Sequence, residues 1–125
     1  MIIDASAMLA FLFREPGHER VAEGLGDAPC MSAVNLSEVI GRFVRDGHDP
    51  AVVLTRLQTT TLEIAPFQAE DAALTAALEP ETRAHGLSFA DRACLALALA
   101  RGEPVLTADR AWLELEIGVD VAPIR

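Results

Sequence analysis

Lysine is absent from this 125-residue chain, and all ten basic residues are arginine. A Walker-type phosphate loop needs a lysine on the phosphates and Schiff-base chemistry needs its amine, so both are excluded. Cysteine is scarce as well. Cys30 and Cys94 lie in apolar contexts with no C-x-x-C or Cys/His spacing, which reads as two buried free thiols and not as a metal or redox pair. No apolar run approaches the ~20 residues of a membrane span, and no linker, low-complexity stretch or internal repeat interrupts the chain. The opening residues read as a strand and not as a charged, cleavable leader, so a cytoplasmic protein that keeps clear of membranes is expected. Positive charge is the minority sign, ten residues against nineteen acidic ones for a net charge of −9. Such a chain does not coat nucleic acid by charge alone, but it suits an acidic pocket that holds cations.

What is present is apolar and evenly distributed: 51% of the residues are hydrophobic, enough for one core in one domain spanning residues 1–125. Short strand-like runs alternate with helical patterns throughout. Met1-Ile2-Ile3-Asp4-Ala5-Ser6 is a brief strand running into a carboxylate. Helices are expected over Ala5–Phe13, His18–Leu25, Ala33–Arg45 and Ala51–Leu57, and an interrupted one over Phe67–His85. Ser88 and Asp91 have the spacing of a capping box for a helix that Arg101 and Gly102 stop. Further strands are expected at Cys30–Ser32, Thr59–Ile64, Pro104–Thr107 and Val119–Ala122, with a short helix to Leu115 before the last. The pattern implies a three-layer α/β/α domain with a short, mostly parallel sheet of four or five strands.

Open α/β sheets place their chemistry just beyond the carboxyl ends of the strands, where Asp4 and Asp109 both fall. Each acid also has a plain structural explanation. Asp91 suits the third position of a capping box and Asp109 suits an N-cap. Glu38 lies opposite the Leu36, Val39, Ile40 and Phe43 stripe of its helix, which says only that it avoids the core. It is either solvated or turned to an acidic cleft. Asp4 has no such role, since Ser6 could cap the helix and a carboxylate ending a buried strand carries a desolvation cost.

If Asp4, Glu38, Asp91 and Asp109 converge, their repulsion makes the site unfavourable until a cation neutralises it. Oxygen-only ligands suit Mg²⁺ or Mn²⁺ and not Zn²⁺. Such a metal takes phosphate oxygens and activates water, which points to phosphodiester hydrolysis without a covalent intermediate. Ser6 and Thr107, each two residues from an aspartate, either orient a carboxylate from outside the ligand set or make local strand-end hydrogen bonds.

With these residues in view, the chain resembles the PIN-domain family, most closely the short bacterial toxins of the VapBC type. The resemblance rests on Ile2-Ile3-Asp4-Ala5-Ser6-Ala7, Ser32-Ala33-Val34-Asn35-Leu36-Ser37-Glu38, Leu87-Ser88-Phe89-Ala90-Asp91-Arg92-Ala93 and Val105-Leu106-Thr107-Ala108-Asp109-Arg110. Four such segments in register span nearly the whole chain. The resemblance implies a PIN-like α/β/α fold, Mg²⁺- or Mn²⁺-dependent endoribonuclease activity, and neutralisation by a cognate VapB-like antitoxin in a type II toxin-antitoxin system. It implies Asp4 and Asp91 as principal metal ligands and Asp109 and Glu38 as the acids that complete the pocket, Glu38 positioning the attacking water and Asn35 bracing Glu38.

Arg14, Arg42, Arg45, Arg92 and Arg110 are candidates to hold RNA phosphates through bidentate contacts. Phe89 and Trp112 could stack on a base but are expected in the core, and no role is assigned to His18, His48 or His85. The apolar fraction suggests a surface covered by a homodimer partner or by an antitoxin in a hetero-oligomer. Two other functions fit the same residues: a PIN-type RNA-processing nuclease without antitoxin, and a non-catalytic interaction domain of the same shape. Retention of all four acids counts against the second.

Overall fold

A computed structural model describes all residues, 1–125. Five parallel strands form one sheet in the order β3-β2-β1-β4-β5: β1 Ile2–Ile3, β2 Cys30–Ser32, β3 Glu63–Ala65, β4 Val105–Thr107 and β5 Val121–Pro123. The shortest strand is the central one. Ile2 is in register with both Cys30 of β2 and Val105 of β4, so the residue after β1 emerges between the ends of its neighbours.

Side chains of successive strand residues point to opposite faces, and this divides the core in two. Ile3, Met31 and Leu106 pack under α1 (Ala5–Leu12), α2 (His18–Gly24), α3 (Ala33–Arg45) and α4 (Pro50–Gln58). Ile2, Cys30, Ala65 and Val105 face the layer of α5 (Ala69–Ala77), α7 (Phe89–Arg101) and the buried Trp112, with α6 (Glu79–Thr82) between the two helices in the chain. Helices on both faces give the expected three layers, and the strands are correspondingly apolar. Both cysteines are free and buried. No helix is long and apolar enough to cross a membrane.

Three elements differ from the sequence reading. The third strand begins at Glu63, not Thr59, because the threonines serve the end of α4. Thr59 and Thr60 donate their hydroxyls to the Arg56 and Leu57 carbonyls (2.7 and 2.6 Å), and Thr60 Oγ1 then accepts from the Leu62 N–H. Local side-chain bonds to the freed carbonyls outweigh β propensity here. The segment before Leu115 is a 3₁₀ turn over Arg110–Glu114, and β5 is shifted toward Pro123, which an edge strand tolerates.

Gly17, the residue before α2, has φ +94°, and a Cβ there would lie 2.4 Å from the Ile124 carbonyl oxygen beyond β5. Gly118 also has positive φ, +79°, but faces open space. Both Gly→Ala changes incur the left-handed backbone cost, about 1–2 kcal/mol. Gly17→Ala is expected to destabilise by at least about 1 kcal/mol more, through overlap with the chain end. Urea unfolding of the two variants checks this, and equal losses would contradict the seating of α2 against the end of β5.

Candidate active site

Every strand of a parallel sheet delivers its carboxyl end to the same edge, and the acidic residues gather there. Asp4 directly follows β1 and occupies the N-cap position of α1, yet its side chain makes no capping bond. It is only 4% exposed. Its Oδ2 accepts from Ser6 Oγ at 2.5 Å and from Thr107 Oγ1 at 3.0 Å. The ionised carboxylate only accepts, so both hydroxyls donate to it. Ser6 Oγ in turn accepts from the Ala108 N–H and Thr107 Oγ1 from the Asp109 N–H, both at 3.0 Å.

Asp91 sits in the first turn of α7 and completes a capping box: its Oδ2 accepts from the Ser88 N–H at 2.9 Å while Ser88 Oγ accepts from the Asp91 N–H at 3.2 Å. Glu38 is exposed on α3, and its Oε1 accepts from Asn35 Nδ2 at 3.0 Å. The same Nδ2 donates to the Ala90 carbonyl at 3.0 Å. Asn35 is fully buried, so one amide ties the helix of Glu38 to the turn carrying Asp91, and its own Oδ1 is left buried without a partner.

Electrostatics report how these groups face one another. Burial raises the Asp4 carboxyl to about 6; the Ser6 and Thr107 hydroxyls pull it down, and the charges of Asp91 and Glu38 push it further up. Cys94, one helical turn beyond Asp91 and fully buried, feels the same charges. Burial pushes its thiol well above the ordinary value, and the charges of Asp4, Asp91 and Glu38 add to that. Three carboxylates therefore act on one spot, and the thiol beneath them stays protonated and unreactive.

Asp109 is attached to this group through its backbone. Its N–H bonds Thr107, while its exposed carboxylate caps the 3₁₀ turn by accepting from the Ala111 N–H at 3.0 Å; its charge is not among those raising Asp4. All four carboxylates share one property. Each is hydrogen-bonded within the chain through one oxygen only, Oδ2 of Asp4, Oε1 of Glu38, Oδ2 of Asp91 and Oδ1 of Asp109. The arrangement fixes the carboxyl groups and leaves the other oxygen of each available.

These residues suit a hard divalent cation. The donor set is oxygen only, and no ion pair in the molecule involves Asp4, Glu38, Asp91 or Asp109. No three acidic, histidine or cysteine side chains close into a ready-made cage. Mg²⁺ does not require such a cage, since it keeps several waters and takes one or two carboxylates directly.

The arginines are placed less favourably. Arg42 pairs with Asp46 at 3.5 Å and lies over the Phe13 ring, and Arg14 lies beyond the far end of α1 from Asp4. Arg92 donates to the Leu87 carbonyl and its charge acts on Glu79, whereas Arg110 donates to the Arg125 carbonyl. Arg45 is exposed in the last turn of α3. Sequence reasoning missed a groove of about 370 Å³ between α1, α3 and α4, lined by Leu12, Phe43, His48, Val52, Leu57 and Arg56 among others. Leu12, Phe13 and Val52 are exposed beside it, which no local pattern in the sequence marked.

A family model described as PIN domain matches residues 1–117. No curated protein matches the sequence. Among solved structures, a toxin-antitoxin complex from Klebsiella pneumoniae superposes with TM-score 0.77 at 18% identity, covering 99% of this chain and 97% of that one. The DNA-bound VapBC from Salmonella typhimurium gives 0.71 at 17% identity, with 99% and 97% covered. FitAcB from Neisseria gonorrhoeae gives 0.72 at 21%, with 98% and 96% covered. At these identities the likeness is one of fold.

Asp4 makes stability depend on pH in a definite direction. The folded carboxyl holds its proton up to about pH 6 and the unfolded one releases it near 3.8, so ionisation opposes folding as pH rises through that window. The penalty is on the order of 3 kcal/mol above the window and absent below it. In excess chelator, Asp4→Asn is therefore expected to gain stability over the parent above pH 6, with the gain vanishing below pH 3.8. Urea unfolding across pH tests this; a pH-independent difference would contradict it.

Proposed function

This chain belongs to the PIN domain family, and on that premise we propose that it is a Mg²⁺- or Mn²⁺-dependent endoribonuclease, the toxin of a type II toxin-antitoxin pair. The observation that carries the reading is the convergence of Asp4, Glu38 and Asp91 with no cationic side chain to neutralise them. A structural role alone gives no reason to keep like charges together around a buried carboxylate.

Asp4, Asp91 and Asp109 would hold the ion, which when bound lowers the pKa of an attacking water and offsets the charge that builds on the phosphorus. Ser6 and Thr107 fix Asp4 by Oδ2, which leaves Oδ1 for binding. Ser88 does the same for Asp91 through its backbone N–H. Glu38, held at Oε1 by Asn35, keeps Oε2 to orient the water and accept its proton. Asn35 thereby sets the distance between the base and the turn carrying Asp91. Arg92 and Arg110, each next in sequence to a site aspartate, retain guanidinium donors for the RNA backbone.

The groove between α1, α3 and α4 supports the antitoxin half of the reading. It is apolar at its floor, carries Arg56 on its wall, and adjoins the exposed Phe13 and Arg42. An amphipathic segment with acidic residues matches that chemistry.

Three outcomes are expected. The purified protein should cleave RNA in Mg²⁺, and excess chelator, Asp4→Asn or Asp91→Asn should abolish cleavage while circular dichroism stays unchanged; cleavage that survives in chelator or in either variant would overturn the mechanism. Expressed alone, the protein should arrest growth, with relief on co-expression of the antitoxin. Val52→Asp in the groove should weaken antitoxin capture by roughly tenfold or more without reducing RNA cleavage. Growth without arrest would favour an RNA-processing nuclease instead.

A further inference from the structure

Phe89 and Trp112 are both core residues by sequence, and the structure agrees only for Trp112. Trp112 is fully buried, whereas Phe89 is 51% exposed. Phe89 is the first residue of α7, between the capping Ser88 and the turn containing Asp91. Its ring meets Phe67 edge to face, with centroids 5.8 Å apart and an interplanar angle of 86°. Phe67 follows the end of β3, so it belongs to the same carboxyl edge of the sheet as the acids. The next carbonyl after Phe89, that of Ala90, is the one Asn35 holds, so the aromatic residue and Glu38 are anchored to one piece of structure.

A phenylalanine gains nothing at a helix start that a smaller or polar residue would not give, and half of its ring faces water at a hydrophobic cost. Phe67 fixes the ring's orientation without covering it. Phe67 is itself half-buried, so the two rings form a small apolar surface at the start of α7. The charge balance supplies the need for it. A chain of net charge −9 with an unpaired acidic cluster attracts phosphates poorly, so grip on a strand must come largely from non-ionic contacts.

We propose that Phe89, braced by Phe67, is a stacking platform for one nucleobase of a single-stranded RNA, adjacent to the phosphate that lies over the acids; this rests on the nuclease reading above. Stacking accepts any base, because every base has a π-face, but it requires a base free of duplex partners. Phe89 is thus a positioning residue that selects unpaired RNA.

The test uses short single-stranded RNAs carrying 2-aminopurine at successive positions, with wild type, Phe89→Leu and Phe89→Trp. Bound to Asp4→Asn protein to prevent turnover, one position next to the cut should be quenched by stacking, and Phe89→Leu in that background should lose the quenching while Phe89→Trp keeps it. In cleavage assays Phe89→Leu should raise KM by roughly 5- to 150-fold, with the loss in KM and not in kcat. An abasic nucleotide at the quenched position should cost wild type the same factor and cost Phe89→Leu nothing further. Unchanged quenching, additive penalties from the abasic site and Phe89→Leu, or a change in oligomeric state on size exclusion would each overturn the platform, the last by showing that the ring faces another copy of the chain. Failure of wild type to cleave at all would instead overturn the nuclease reading, which the quenching measurement does not depend on.

Discussion

A carboxylate buried at the end of the central strand is the constraint that organises this molecule. Asp4 is held there because β1 is only two residues long and pairs on both sides, which brings Ser6 and Thr107 onto one of its oxygens. Residues 102 and 103 positions apart in sequence meet in this bonding pattern, and each hydroxyl also accepts a backbone N–H from the loop after β4. Parallel pairing of β1 with β4 is therefore a condition of the site as much as of the sheet. The two strands cannot slip by one residue without exchanging the core faces of Ile2 and Ile3 and moving Thr107 away from Asp4.

Capping and metal binding look like competing explanations for an aspartate at a helix start, and here they are compatible. Asp91 and Asp109 both cap, each through one oxygen. A cap fixes the rotamer of a short side chain and leaves its second oxygen unengaged, which is the preorganisation a ligand needs. Asn35 treats Glu38 in the same way while spanning to α7. The candidate site is built from ordinary helix-terminal devices, each of which leaves one carboxylate oxygen without a partner in the chain.

The distribution of arginine completes the picture. Arg20, Arg42, Arg83 and Arg101 are paired with carboxylates elsewhere, the last through a bidentate contact to Glu63 that joins β3 to the end of α7. No arginine pairs with the site acids, so their field is left uncompensated, at a cost in stability that falls mainly on Asp4. Functional sites commonly carry such local conflict while the surrounding scaffold supplies the stability. Here the scaffold is the pair of apolar layers on the two faces of the sheet.

Much of this was legible in the linear chain. Alternating short apolar runs and helical stripes specify a parallel α/β sheet, the Ser88 and Asp91 spacing specifies the start of α7, and the absence of lysine removes whole classes of phosphate chemistry, because these depend on local periodicity and residue type alone. Burial and partnership were not legible in the same way. Thr59 to Thr61 have strand composition, yet two of them close α4; Phe89 and Trp112 look alike in sequence, yet one is solvent-facing and the other fully enclosed. Asn35 was visible as a neighbour of Glu38, but not as the bridge to Ala90. Sequence fixes which groups exist and their local spacing, whereas long-range packing decides which oxygens share a space and which rings face water, since those depend on contacts that no local pattern encodes.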